Sequence, residues 1–115
     1  MTFEEYQARA RTTDVYADQM PSSVLDPAFA AKILGLVGEA GEVAEKFKKI
    51  IRDKNGQIST EDSAAIIKEL GDVLWYVALI AEYLGSDIGH VASVNLDKLA
   101  DRQKRNVIKS SGDDR

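Results

Sequence analysis

Two long amphipathic stripes, separated by the dipeptide Asn55-Gly56, constrain the fold more than any other feature of this sequence. In both stripes, apolar residues recur at three- and four-residue spacing, which is the period of a helix with one buried face. The first stripe comprises Ile33, Leu36, Val37, Ala40, Val43, Ala44, Phe47, Ile50 and Ile51. The second comprises Ile66, Ile67, Leu70, Val73, Leu74, Val77, Ile80, Ala81 and Leu84. Because Asn-Gly is a strong helix stop and turn, the pattern predicts two long helices folded back into a hairpin.

Helix-start signals precede both stripes. Asp26 is a good N-cap, and Pro27 fits the first turn, so the second helix is predicted over about 27–54. Ser59, with Asp62 three residues further on, resembles a capping box in which Asp takes the acidic position. The third helix is therefore expected to begin at the end of a short turn.

The remaining segments also indicate helices. A first helix is predicted over about 2–19, with a weaker apolar pattern, and Asp87 opens a fourth. The length suits one domain, which we assign to 1–109, and the polar residues 110–115 are expected to form a disordered tail. The sequence thus predicts an all-α, four-helix bundle-like fold. Because few aromatic residues are available to close the core, we expect it to be completed by homo-oligomerisation.

Composition excludes several functional classes. The chain has no Cys, which excludes disulfides, zinc knuckles, iron–sulfur clusters and thiol catalysis, and its single His90 argues against a His-rich site. The net charge of −4 argues against a nucleic-acid partner. No apolar run approaches the roughly 18 residues of a membrane span, and the N-terminus lacks an apolar signal core. We therefore expect a cytoplasmic protein whose chemistry depends on carboxylates, lysines and arginines.

Two pairs of acidic residues have the spacing of a metal site. Glu39 and Glu42 lie three residues apart in the second helix, and Glu69 and Asp72 repeat that spacing in the third. Residues three apart project in similar directions, and the turn could bring the two pairs opposite each other. Converging carboxylates repel unless a cation neutralises them, and oxygen ligands suit Mg²⁺ or, as a substitute, Mn²⁺. This arrangement would admit a phosphate-bearing substrate.

A simpler interpretation of the acidic residues remains open. Glu42 and Lys46, like Glu45 and Lys49, stand four residues apart in the favoured order, so these acids could form solvated salt bridges. On the fourth helix, Asn95, Lys98 and Arg102 share one face and could contact phosphate oxygens. Basic residues near a helix C-terminus are, however, more often partners of the helix dipole.

The neighbours of the acidic residues carry a further expectation. Glycine destabilises helix interiors, so a neighbouring helix or a ligand is expected to approach the glycines beside the acids. These are Gly38, Gly41 and Gly71. We interpret the aromatic side chains as residues of the core or of a subunit interface, in preference to platforms for base stacking. They include Tyr6, Tyr16, Phe47, Trp75 and Tyr76.

Three segments, in this order, resemble the motifs of the MazG family of all-α nucleotide pyrophosphohydrolases. They are GLVGEAGEVAE (35–45), KELGDVLWY (68–76) and NLDKLADR (95–102). The similarity spans roughly residues 30 to 105, which is most of the chain. The set E-x-x-E, E-x-x-D and N-x-x-K-x-x-x-R is fairly specific as a whole, whereas no single piece would be.

The resemblance implies a site, a reaction and an assembly. The residues that would ligate Mg²⁺ are Glu39, Glu42, Glu69 and Asp72. One of these carboxylates, or Glu45, would help to deprotonate the water that attacks the α-phosphorus. Lys98 and Arg102 would stabilise charge on the phosphates, with Asn95 as a nearby polar contact. The reaction would convert a nucleoside triphosphate to the monophosphate and pyrophosphate, for nucleotide-pool house-cleaning, in a homodimer or homotetramer.

Two departures from the family pattern stand out. Many relatives carry two adjacent acids at the start of the first motif, and here Gly38 occupies the earlier position. Some relatives have Phe where Leu99 and Gln103 follow the basic residues of the last motif, so the nucleotide pocket is expected to differ. Two alternatives stay open: a phosphoribosyl-ATP pyrophosphohydrolase, whose relatives share the acidic motifs, and a non-catalytic helical dimerisation module.

Overall fold

Four helices make up the computed structural model, which describes residues 1–105. The helices are α1 (Phe3–Thr12), α2 (Pro27–Lys54), α3 (Thr60–Tyr83) and α4 (Ile88–Lys104). No strand occurs in this described part, and the predicted all-α fold is confirmed. The tail predicted over 110–115 lies outside the described residues.

The α2–α3 hairpin forms where the sequence predicts it. The carboxylate of Asp26 accepts the backbone N–H two residues ahead at 2.9 Å, which leaves Pro27 as the first helical residue. At the other end, Asn55 and Gly56 both adopt left-handed conformations, with φ angles of 52° and 77°. Both of their N–H groups donate to the carbonyl of Ile50, which satisfies an otherwise unpaired group at the helix end.

The caps of α3 and α4 also match prediction. Ser59 and Asp62 exchange backbone-to-side-chain hydrogen bonds of 3.0 Å each, forming a complete capping box. Lys54, at the end of α2, donates to both oxygens of Asp62 at 2.7 and 2.8 Å. That contact, followed by the bonds from Ser59, lowers the pKa of Asp62 to about 2. Asp87 caps α4 by accepting the N–H of His90 at 2.8 Å.

The first helix is shorter than predicted, because α1 ends at Thr12 and does not extend to Gln19. The hydroxyl of Thr13 donates to the carbonyl three residues back at 2.7 Å. The carboxylate of Asp14 accepts the N–H of Tyr16 at 3.1 Å. Such local side-chain bonds offer the backbone an alternative to the helix, and here they end it.

The helices pack unevenly. α2 and α3 share the most extensive contact, whereas α1 lies against α3 and α4, and α4 touches α1 and α3. The fully buried apolar cluster is small and joins α1, α3 and α4 through Ala10, Ala78, Leu79 and Ile88. None of the helices in residues 1–105 combines the length and apolar character needed to cross a membrane.

A buried amide ties the three helices of this cluster together. The Nε2 of Gln7 donates to the Ala78 carbonyl at 2.9 Å and to the Glu82 carboxylate at 3.0 Å. Its Oε1 accepts the N–H of Ile88, at the start of α4, at 2.9 Å. Because buried amides cost free energy unless they are hydrogen-bonded, these contacts fix the position of α1 on α3 and α4.

A second buried polar group, the Lys32 cluster, holds the segment after α1 against the hairpin. Lys32 and Asp14 form an ion pair of 2.9 Å, and both side chains are more than 90% buried. The hydroxyl of Tyr83 donates to the same carboxylate. The ammonium group of Lys32 lies 5.0–5.5 Å from the ring centroids of Tyr16, Trp75 and Tyr83, within cation–π range. These five residues constitute the Lys32 cluster.

Both helices of the hairpin carry large apolar side chains that are exposed in the described chain. We call these residues together the outer face, and they include Leu34, Val37 and Ile51 of α2 and Ile67 and Leu70 of α3. Each of these side chains is at least half exposed, with a range of 50–72%. Large exposed apolar patches often mark interaction sites.

Candidate metal centre

The site lies in the seam between α2 and α3, and a glycine sets the local separation of the helices. A Cβ added at Gly35 would lie 2.2 Å from the Tyr76 ring, so only glycine lets the ring pack there. The three glycines that were predicted to have a close neighbour have open space around them instead. At Gly38, Gly41 and Gly71, an added Cβ would meet no atom within 4 Å. The expected close approach is therefore not made within the described chain.

Three acidic side chains converge one turn from the Gly35–Tyr76 contact. They are Glu39 from α2 and Glu69 and Asp72 from α3, which we call the acid triad. One carboxylate oxygen of each lies within 4.8 Å of the others. Glu39 and Glu69 are half-buried and Asp72 is exposed, so the group opens to solvent on one side. This spacing suits three oxygens around one cation.

The electrostatics of the acid triad favour a cation. Desolvation, followed by the charges of Asp72, Glu69 and Glu42, raises the pKa of Glu39 above its usual value. Lys46, one helical turn beyond Glu42, lies 3.4 Å from Glu69 and offsets part of the negative charge. A divalent ion would relieve the remaining repulsion, so the donor set fits a hard cation such as Mg²⁺.

The other two acids of the first motif are not part of this group. Glu42 is exposed and affects the acid triad through its charge on Glu39. Glu45 lies 3.0 Å from Lys48, and this contact, more than any other, lowers its pKa. The two salt bridges considered at four-residue spacing are not seen in the described chain, where Lys46 pairs with Glu69 and Glu45 with Lys48. Roles for Glu42 in metal binding and for Glu45 as a base remain predictions.

The predicted phosphate-contacting residues lie on α4, which packs on α1 and α3. Asn95 is exposed, Lys98 is half-buried and Arg102 is buried, with 6% of its surface exposed. The structure does not show these three side chains joining the acid triad. Their action on phosphates remains a prediction.

The sequence did not indicate that Lys46 and Tyr6 interact with members of the acid triad. Lys46 could have been found from its seven-residue spacing to Glu39, which places both on one helix face. Tyr6 of α1 had no such signal, because its proximity to α3 depends on tertiary packing. Desolvation and then the charge of Asp72 raise the pKa of Tyr6.

The fold and the site together define an all-α protein with an open carboxylate centre in the seam of a helical hairpin. A family model described as the MazG nucleotide pyrophosphohydrolase domain matches residues 29–107. The chain belongs to the MazG family, which implies an enzyme of the pyrophosphohydrolase class. It is 43% identical over 115 residues to "Gene 37 protein" of Mycobacterium phage L5, and the alignment covers all of both chains. No solved structure gives a significant match.

Proposed function

We propose that this chain is a Mg²⁺-dependent nucleoside triphosphate pyrophosphohydrolase that produces a nucleoside monophosphate and pyrophosphate. The observation that carries the proposal is the acid triad, which unites Glu39 with Glu69 and Asp72 inside the segment matched by the family model. A cluster of exposed acids alone would not suffice, because such clusters are common without a metal. The family match supports a metal-binding role for this cluster, because the family consists of nucleotide pyrophosphohydrolases.

Different residues would bind the cation, accept the proton and contact the phosphates. The acid triad, with Glu42, would hold the cation. A cation bound there would draw electron density from phosphate oxygens and lower the pKa of a nearby water. One of these four carboxylates, or Glu45, would accept a proton from the attacking water. Asn95, Lys98 and Arg102 would contact the phosphate oxygens that the cation leaves uncovered.

We further propose that the substrates are non-standard or surplus (deoxy)nucleoside triphosphates, removed from the pool in the cytoplasm. The test is pyrophosphate release from a panel of standard and modified nucleotides, with Mg²⁺, with Mn²⁺ and with EDTA. We expect release together with a monophosphate, and its loss in EDTA. Release of orthophosphate alone would contradict cleavage between the α and β phosphates.

Two control measurements address the alternatives. Phosphoribosyl-ATP added to the panel should be a poorer substrate than the best nucleotide, and the reverse ranking would favour the histidine-pathway reaction. A thermal melt with and without Mg²⁺ addresses the non-catalytic module, because a ligand that binds only the native state raises the melting temperature. No metal-linked shift and no turnover of any substrate would favour that module.

We also propose that two or more copies of the chain associate through the outer face. The apolar side chains of α2 and α3 there are 50–72% exposed in the described residues. Gly38 and Gly41, in the same stretch of α2, leave room for a second backbone to approach closely. Removing apolar surface from water is the main driving force of association. A homodimer or homotetramer would therefore complete the core.

Sedimentation equilibrium tests this association. We expect a mass of at least twice the 12.6 kDa of one chain. Val37→Glu places a charge in the outer face and should shift the equilibrium toward the monomer, because the charge would be desolvated at the interface. Ser93→Glu, at an exposed position of α4, is a matched control that should leave the mass unchanged. A wild-type monomer at micromolar concentration would contradict the proposal.

A further inference from the structure

A cavity between α1 and α3 begins one helical turn from the acid triad. It measures about 430 Å³, and the side chains that matter here are Tyr6, Arg9, Thr13 and Trp75. Its volume is within the usual range for small-molecule sites. Trp75 follows Asp72 by three residues on α3, about 4.5 Å along the helix axis. Trp75 therefore links the cavity to the helix that carries two members of the acid triad.

The cavity has the chemistry of a site for a flat aromatic group. Tyr6 and Trp75 present rings that pack against the core on one side and line the cavity on the other. Any nucleobase can stack on such rings, because every base has a flat aromatic face. Arg9 lines the same cavity, and across residues 1–105 its guanidinium forms no ion pair. It can therefore donate to oxygen or nitrogen acceptors on a ligand.

Three contacts hold the Trp75 ring in place. Its Nε1 donates to the Thr13 hydroxyl at 2.7 Å, in the turn that ends α1. Tyr76 packs edge-on against it with a centroid distance of 4.9 Å, and Lys32 lies 5.3 Å from its centroid. A ring fixed before binding loses little conformational entropy when a ligand stacks on it. These contacts therefore make Trp75 a preorganised platform.

A larger cavity nearby suits a nucleotide less well. It measures about 470 Å³ and lies where α1 meets the α3–α4 turn. Its lining includes the carboxylates of Glu4, Glu82 and Asp87, and its one guanidinium, Arg11, lies 3.3 Å from Glu82. A phosphate-bearing ligand would be repelled there.

We propose that the cavity between α1 and α3 binds the base and sugar of the nucleotide whose phosphates lie at the acid triad. The inference rests on the proposed function for the phosphate end, but the binding it describes needs no turnover. Tyr6 and Trp75 stack on the base, and Arg9 contacts its polar edge or the sugar. This differs from a purely structural role for the two rings, which their packing against the core would otherwise suggest.

Because Trp75 is the only tryptophan of the chain, its fluorescence reports directly on the cavity. Each deoxynucleoside monophosphate is added to the protein up to millimolar concentration, once in the presence of Mg²⁺ and once in the presence of EDTA. Inorganic pyrophosphate serves as a ligand without a base, and free tryptophan amide corrects for absorption. We expect saturable quenching by at least one monophosphate and none by pyrophosphate.

Variants separate stacking from general effects on the fold. Tyr6→Leu keeps an apolar side chain but removes the ring, and should weaken binding on the order of tenfold, as loss of base stacking typically does. Arg9→Met changes an exposed residue and should weaken binding several-fold without affecting folding. Phe47→Leu alters a ring outside the cavity and should bind as the wild type does.

Two results would overturn the inference. One is the absence of quenching by every monophosphate in the folded wild type, and the other is unchanged binding in both Tyr6→Leu and Arg9→Met. Failure of the proposed function looks different. It would leave quenching by monophosphates intact while no pyrophosphate is released from any triphosphate.

Discussion

Asp72→Asn should reduce pyrophosphate release by at least about 100-fold, because even partners of metal ligands cost 10–100-fold when removed. The substitution keeps the shape of the side chain and removes one of the three charges of the acid triad. Asn offers a single, neutral oxygen, so the site would attract a divalent cation less strongly. The measurement is the initial rate at saturating Mg²⁺ with the best nucleotide of the panel.

The stability of the same variant distinguishes a lost site from a lost fold. Desolvation and then the charge of Asp72 raise the pKa of Glu39, so the acid triad carries electrostatic repulsion. The metal-free variant should therefore melt no lower than the wild type, while the stabilisation by Mg²⁺ should shrink. Glu61→Gln, an exposed acid on the same helix, is the matched control and should keep full activity. Full activity in Asp72→Asn would contradict the proposed site.

Asp14→Ala should destabilise the fold by about 3–5 kcal/mol, the usual cost of leaving one member of a buried ion pair unpaired. The variant removes the carboxylate that lies 2.9 Å from the buried Lys32 ammonium and accepts the hydroxyl of Tyr83. The rings around Lys32 cannot replace a full negative charge. In a domain of this size, the melting temperature should fall by roughly 10–25 °C.

Two comparisons test this explanation. Replacing both partners, in Asp14→Ala with Lys32→Met, should recover part of the lost stability, because no buried charge is then left unpaired. Asp53→Ala removes an exposed acid paired with Arg52 and should leave the melting temperature unchanged. A double variant less stable than Asp14→Ala would show that packing, and not the unpaired charge, dominates.

The effect of Asp14 should also depend on pH. Burial disfavours its ionised form, but hydrogen bonds from Tyr83, Lys32 and the Tyr16 backbone outweigh that cost and lower its pKa. A lowered folded-state pKa means that the stabilisation is present above the unfolded pKa of about 3.9 and is lost as the pH falls below it. The stability gap between wild type and Asp14→Ala should therefore be full at neutral pH and narrow in acid.

Local signals made most of the fold predictable. The stops and caps around Asn55, Ser59 and Asp87 act within a few residues, so the ends of α2 and α3 and the start of α4 follow from the sequence. The end of α1 did not follow, because Thr13 and Asp14 make bonds that compete with an otherwise acceptable helical pattern.

The candidate site was predictable to the extent that it lies within one hairpin. Three of the four acids converge as their spacing and the turn indicate, while Glu42 faces solvent. The Asp14–Lys32 ion pair and the effect of the Asp72 charge on Tyr6 involve separate segments. Helical periodicity carries no information about such contacts, because it describes one helix at a time.

The acid triad comes entirely from the α2–α3 hairpin, whereas the proposed base cavity borrows most of its lining from α1 and the turn after it. Under the two proposals, the residues that contact the base therefore lie mostly before the hairpin that acts on the phosphates, with Trp75 as the exception. Changes in the first fifteen codons could retune which nucleotide is chosen without disturbing the carboxylates that act on its phosphates. A library restricted to Tyr6, Arg9 and their neighbours would be the economical place to redesign the substrate range of this enzyme.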